Sequence, residues 1–147
     1  MSADYVYAVR LEEDEADGGF VVTCADLPEV VSQGETREEA LEQAADAIEE
    51  AVAGRLRLGQ SVPVGLLGGD GRDLVPLAPV MAAKAALSRA LKEAGMTRVA
   101  LAGVIGCDEK EVRRLLDPRH ASKMPRLARA LEALGKTLVL RVVDRVA

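Results

Sequence analysis

The sequence predicts an α+β chain in two parts: a small β-β-β-α-β unit, then an all-helical unit that ends in a lone strand. Three observations predict it. Short alternating apolar segments occupy the first 35 residues, helical periodicity takes over at Thr36, and the charge reverses sign between the halves. Residues 1–78 hold 5 Lys and Arg against 17 Asp and Glu, a net −12. Residues 79–147 hold 14 against 7, a net +7, so the whole-chain value of −5 conceals two opposite surfaces. One suits a basic partner and the other a polyanion. Merely solvated faces would mix the signs along the chain.

In the acidic half, "YVYAVRL" (5–11) alternates and is rich in β-branched and aromatic residues, so it predicts a strand. "EEDEADGG" (12–19) is a charged turn and "FVVTCA" (20–25) a second strand, which together make a hairpin with a long acidic tip. "DLPEVVSQGE" (26–35) supplies a Pro-marked turn, a short strand around 30–32 and a turn at Gly34. From Thr36 onward, Leu41, Ala44, Ala45, Ile48, Val52 and Leu56 recur at helical spacing, and Thr36 with Glu39 forms a capping box. "SVPV" (61–64) predicts an edge strand, its proline confined to the rim of the sheet. "GLLGGDGRDLVPLAP" (65–79) is the expected connection between a unit at 1–64 and a unit at 80–147. It lacks the Gly-Lys-Ser/Thr ending of a phosphate loop.

In the basic half, "VMAAKAALSRALKEAG" (80–95) predicts an amphipathic helix stopped by Gly95. "TRVALAGVIGCDEKEVRRLLD" (97–117) then has the parts of two short crossing helices. Thr97 caps the first, Leu101 points inward, Ala102 is the small contact residue and Gly106 serves the turn. Cys107 takes the apolar turn position, Asp108 caps the second helix, and Val112 and Leu115 anchor it. The pattern resembles the helix-turn-helix of the repressor-like class; an ordinary helical hairpin in a core is the bland alternative.

This register turns Glu109, Lys110, Arg113 and Arg114 outward. Lys110 and Arg113 are the candidates to read guanine O6 and N7 in the major groove. Glu109 would accept from cytosine N4 or simply stabilise the helix start, and Arg114 would serve a phosphate. Arg119, Ser122 and Lys123 in the loop "DPRHASKMPR" (117–126), with Arg98, are expected at backbone phosphates. His120, the single histidine, has no partner set for proton transfer and suits a phosphate contact or open solvent. The chain finishes with a helix (124–134), a Gly135 stop and a strand (137–143) that carries Leu138, Leu140 and Val142 on one face. A single strand cannot satisfy its own backbone. It pairs either with its copy in a second subunit, giving a homodimer or higher even oligomer, or with the N-terminal sheet.

Three phrases are also familiar: the Y-x-V-x-L opening strand, "DGGFVVTCADLPEVVSQGETREEALEQAADAI", and the P-V segment after the helix. They resemble the HicB-type antitoxin family over roughly residues 5–78, and the helix-turn-helix with its terminal strand resembles the long form of that family. The resemblance implies a truncated ribonuclease-H-like fold that neutralises a small basic mRNA-cleaving toxin of the HicA type. It also implies autorepression through operator double-stranded DNA. Family members often carry Gly after D-L-P, where Glu29 stands here. Charge and placement point to Asp26, Leu27, Pro28 and Glu29, with the 12–17 tip, as toxin-facing.

Other function classes fit less well. The first strand offers no acid for a two-metal nuclease, and Cys24 and Cys107 lie far apart with no companion ligand, so no metal, cofactor or catalysis is expected. No apolar run reaches the roughly 18 residues of a membrane span, and the N-terminus lacks signal-peptide character, which points to the cytoplasm. The competing function is a ligand-sensing helix-turn-helix regulator without a toxin partner.

Overall fold

The computed structural model describes residues 4–65 and 73–144. The ends of the two expected units (1–3 and 145–147) and residues 66–72 of the expected connection lie outside the described residues.

Four strands form one antiparallel sheet: β1 (Val6–Glu13), β2 (Phe20–Cys24), β3 (Val31–Gly34) and β4 (Asp73–Pro76), in the order β3-β2-β1-β4. Val9 lies opposite Cys24 and Tyr7 opposite Val75. The two-residue period of the strands therefore places Tyr7, Val9, Val22, Cys24 and Val75 on one buried face. Helix α1 (Arg37–Arg57) covers that face with Ala40, Ala44, Ile48 and Val52, all buried at four-residue steps. The approach is close: a Cβ on Gly34 would collide with the backbone nitrogen of Ala40. At the helix start the Glu39 N–H donates to Thr36 Oγ1 at 3.1 Å. The Glu39 carboxylate accepts in return from the Glu35 N–H at 3.3 Å, so the capping box closes one residue earlier than its usual form.

The edge strand expected at 61–64 forms at 73–76 instead, inside the stretch expected to connect the halves. Pro63 has no N–H to give a ladder. Residues 61–65 still run beside the start of β1: the Tyr7 hydroxyl donates to the Pro63 carbonyl at 2.7 Å and the Gly65 N–H to the Asp4 carbonyl at 2.9 Å. A side chain at Gly65 would strike the Val6 carbonyl oxygen.

Four helices follow: α2 (Pro79–Ala94), α3 (Arg98–Ile105), α4 (Glu109–Leu116) and α5 (Met124–Ala133). They enclose a second apolar core, in which Leu87, Leu101, Val112 and Leu127 are fully buried. Helix α2 belongs to both cores. Ala85 is buried against the sheet unit with Met81 and Ala82 beside it, while Ala83, Leu87 and Leu91 face α3, α4 and α5. Alanine makes this two-sided contact possible, because a small side chain lets a helix sit close to elements on both flanks. Among the described residues no helix is long and apolar enough to cross a membrane.

No strand forms at 137–143 in the single chain. The segment joins neither the sheet nor any other ladder, as a strand without a partner must leave its backbone groups to water. Leu138, expected on the pairing face, is half-buried against the second core. Leu140 and Val142 stand 64% and 96% exposed.

Candidate functional site

The candidate surface is built on α3 and α4. The Thr97 hydroxyl caps α3 by accepting from the Ala100 N–H at 3.0 Å. Leu101 and Ala102 turn into the core, and Gly106 ends the helix in the left-handed region at φ 73°, ψ 40°. That conformation costs glycine little and a β-carbon-bearing residue considerably more. The Cys107 N–H closes the turn on the Ala102 carbonyl at 3.0 Å. Asp108 occupies the cap position of α4 with extended backbone, but its side chain makes no capping hydrogen bond. Val112 and Leu115 pin α4 to the core, which forces Lys110, Arg113 and Arg114 into solvent.

Two carboxylates organise the exposed arginines. Arg113 donates to Glu109 Oε2 at 2.7 Å, and Arg98 of α3 lies 3.4 Å from Glu109 Oε1. Arg114 and Arg126 reach the two oxygens of Glu111 at 2.9 and 2.8 Å. The hydrogen bond from Arg113, with the charges of Arg113 and Arg98, holds the Glu109 carboxyl below the usual range. A cavity of about 220 Å³ opens beside this array, between α4 and the start of α5, and Arg114, His120, Lys123 and Arg126 contribute to its lining. Arg119 and Lys123 are exposed as expected, with Arg119 Nε 3.4 Å from Asp117.

Ser122 departs from expectation. Its hydroxyl turns inward, accepting from Lys84 Nζ at 2.7 Å and donating to the Arg114 carbonyl at 3.2 Å, so it does not face a phosphate. Lys84 itself is the residue that the sequence did not reveal. Only 1% exposed, it also donates to the Arg114 and Leu115 carbonyls at 3.0 and 3.1 Å and so caps the C-terminal end of α4. Burial lowers its pKa. His120 is exposed, with Nδ1 3.2 Å from Ser122 Oγ.

The candidate toxin-facing residues divide between core and surface. Leu27 is fully buried and cannot touch a partner, because it completes the sheet core between Cys24 and Val30. Glu29 is held by Arg55, whose Nε and second terminal nitrogen reach its two oxygens at 2.7 and 2.9 Å. Arg55 also donates to the Ser61 carbonyl, so Glu29 fastens the loop before β3 to the end of α1. Pro28 is exposed and Asp26 half-buried. At the hairpin tip, Asp14 Oδ1 accepts from the Ala16 and Asp17 N–H groups at 3.1 and 3.2 Å. One of the tip carboxylates thus shapes the turn, while Glu12, Glu13, Glu15 and Asp17 remain in solvent.

Residues 6–86 match the family described as HicB_like antitoxin of bacterial toxin-antitoxin system. The chain is 35% identical over 143 residues to the antitoxin HicB of Pseudomonas fluorescens, covering 97% of this chain and 98% of that protein. It is 35% identical over 136 residues to antitoxin HicB 1 of Photorhabdus laumondii, covering 92% and 86%. With the antitoxin HicB of Escherichia coli it shares 36% identity over 129 residues, covering 86% and 92%.

Proposed function

Because the chain belongs to the HicB-like antitoxin family of bacterial toxin–antitoxin systems, we propose that it neutralises a small basic HicA-type toxin and represses its own operon. The observation that carries this reading is coverage. An antitoxin aligns with 97% of the chain, so the basic helices belong to what the relatives share as much as the acidic sheet does.

In this reading the sheet and α1 are a truncated ribonuclease-H-like module without catalytic activity. Asp26 and the exposed tip carboxylates steer a cationic toxin into contact, and Pro28 touches it from the exposed loop. Helices α3 and α4 form a helix-turn-helix, with α4 in the major groove, Lys110 and Arg113 at base edges, and Arg98, Arg114, Arg119 and Lys123 at phosphates. Glu109 accepts from a cytosine amino group. Leu140 and Val142 pair with a second copy, which sets two reading helices on a twofold operator. The cytoplasm, where transcripts and operator DNA meet, is the compartment this function requires.

Arg113→Ala tests the division of labour. It should weaken operator binding by roughly 1–3 kcal/mol in an electrophoretic shift while leaving rescue from the co-expressed toxin intact. An unchanged shift, or lost rescue by a folded variant, would overturn it.

A further inference from the structure

Four arginines on the α3–α4–α5 face are each engaged by one of two carboxylates, and each carboxylate spends its two oxygens on two different arginines. Glu109 ties Arg98 of α3 to Arg113 of α4. Glu111 ties Arg114 of α4 to Arg126 of α5. All four guanidinium groups are at least 48% exposed in their side chains. Exposed ion pairs contribute little to stability, so these carboxylates add little to the fold. Their position is what matters: a phosphate that approaches any of these four arginines must compete with a carboxylate already in place.

We propose that Glu109 and Glu111 act as internal competitors for DNA phosphate and that Glu109 thereby sets the specificity of this face, a role that rests on the DNA-reading function proposed for α4. Binding to arbitrary duplex depends on phosphate contacts alone and bears the full cost of displacing both carboxylates. A cognate site returns part of that cost. It offers Arg113 a guanine edge and Glu109 a cytosine amino group, so the Glu109 carboxylate keeps a partner when Arg113 leaves it. Glu109 therefore weakens non-specific binding more than operator binding, while Glu111 lowers both.

The test uses the full-length E109Q, E111Q and double variants. A duplex from the promoter of the protein's own operon and a scrambled duplex of equal composition are followed by fluorescence anisotropy across a salt series. Each arginine released to a phosphate should steepen the log–log salt slope on scrambled DNA by about 0.9, and raise affinity near 0.1 M salt about eightfold. In E109Q and the double variant operator affinity should change less, so the ratio between the two duplexes falls, whereas E111Q, whose carboxylate is displaced on either duplex, should raise both affinities alike. E109D keeps the charge and should restore most of the wild-type ratio. E132Q makes the same change in net charge elsewhere on α5 and should leave both affinities unchanged. Wild-type affinity of E109Q and E111Q for scrambled DNA, or an equal effect from E132Q, would overturn the inference alone. A wild-type chain that fails to distinguish the two duplexes would overturn the DNA-reading function, and the inference with it.

Discussion

Lys84 Nζ donates to the Ser122 hydroxyl at 2.7 Å, joining the buried face of α2 to the loop that leaves α4. The same ammonium holds the last carbonyls of α4, so the outward aim of Arg113 is fixed partly from behind. Replacing Lys84 by Met keeps the volume but leaves two carbonyls and a hydroxyl without their donor. We expect a loss of about 1–3 kcal/mol, read as a lower Tm in thermal unfolding. The opposing effect is relief of a desolvated charge, and a Tm equal to or above that of the native chain would show that it dominates.

Tyr5 and Tyr7 offer an internal comparison. The Tyr7 hydroxyl donates to the Pro63 carbonyl, whereas the buried Tyr5 hydroxyl has no hydrogen-bond partner among the described residues. Tyr7→Phe should cost about 1 kcal/mol in urea unfolding, and Tyr5→Phe should be neutral or stabilising. The reverse order would mean that the two hydroxyls are solvated differently from what their surroundings imply.

Stability should fall at both extremes of pH. Burial raises the pKa of Cys24, Tyr5 and Tyr7, so their contribution is complete below the ordinary values, about 8.5 for Cys and 10 for Tyr, and is lost above them. Lys84, shifted down, acts in the opposite sense but is one group against three. At the acid end, the hydrogen bond from Arg55 lowers Glu29, and Glu93, Glu109 and Asp117 are lowered by their own partners. Their contribution is present above the usual carboxylate range, near 4, and is lost as pH drops through the folded values. Urea midpoints measured across pH should show a plateau between, and Glu29→Gln should flatten the acid limb. An unaltered acid limb would assign it to the other carboxylates.

Val139, Leu140, Val142 and Val143 are 64–96% exposed on one short segment. If they pair with a second copy, L140D combined with V142D should convert a species of twice the chain mass into a monomer in sedimentation equilibrium. A monomeric native chain would remove the basis for twofold operator binding.

What the sequence made legible was local. Thr36 and Thr97 as caps, and Gly95 and Gly106 as left-handed stops, depend on residues a few positions apart, and each stands where the pattern put it. The position of β4 depends on which segment wins the edge of β1. "SVPV" and "DLVP" each hold two aliphatic residues, one polar residue and one proline, so composition cannot choose between them. Leu27 sits between Asp26 and Pro28 in a turn and resembles a surface residue until Val22, Cys24 and Val30 are folded around it. Lys84 and Ser122 were equally hidden, since a lysine on an amphipathic helix is ordinarily solvated. Only the landing point of the end of α4 makes this one internal.

The two-sided packing of α2 also limits how such a chain can be cut or recombined. A splice at residue 79 would strip Met81 and Ala85 from the sheet side, leaving an apolar scar on whichever fragment kept the strands. Exchange of the basic helices between relatives therefore has to carry α2 as a matched hinge pin, one flank fitted to the donor and the other to the recipient.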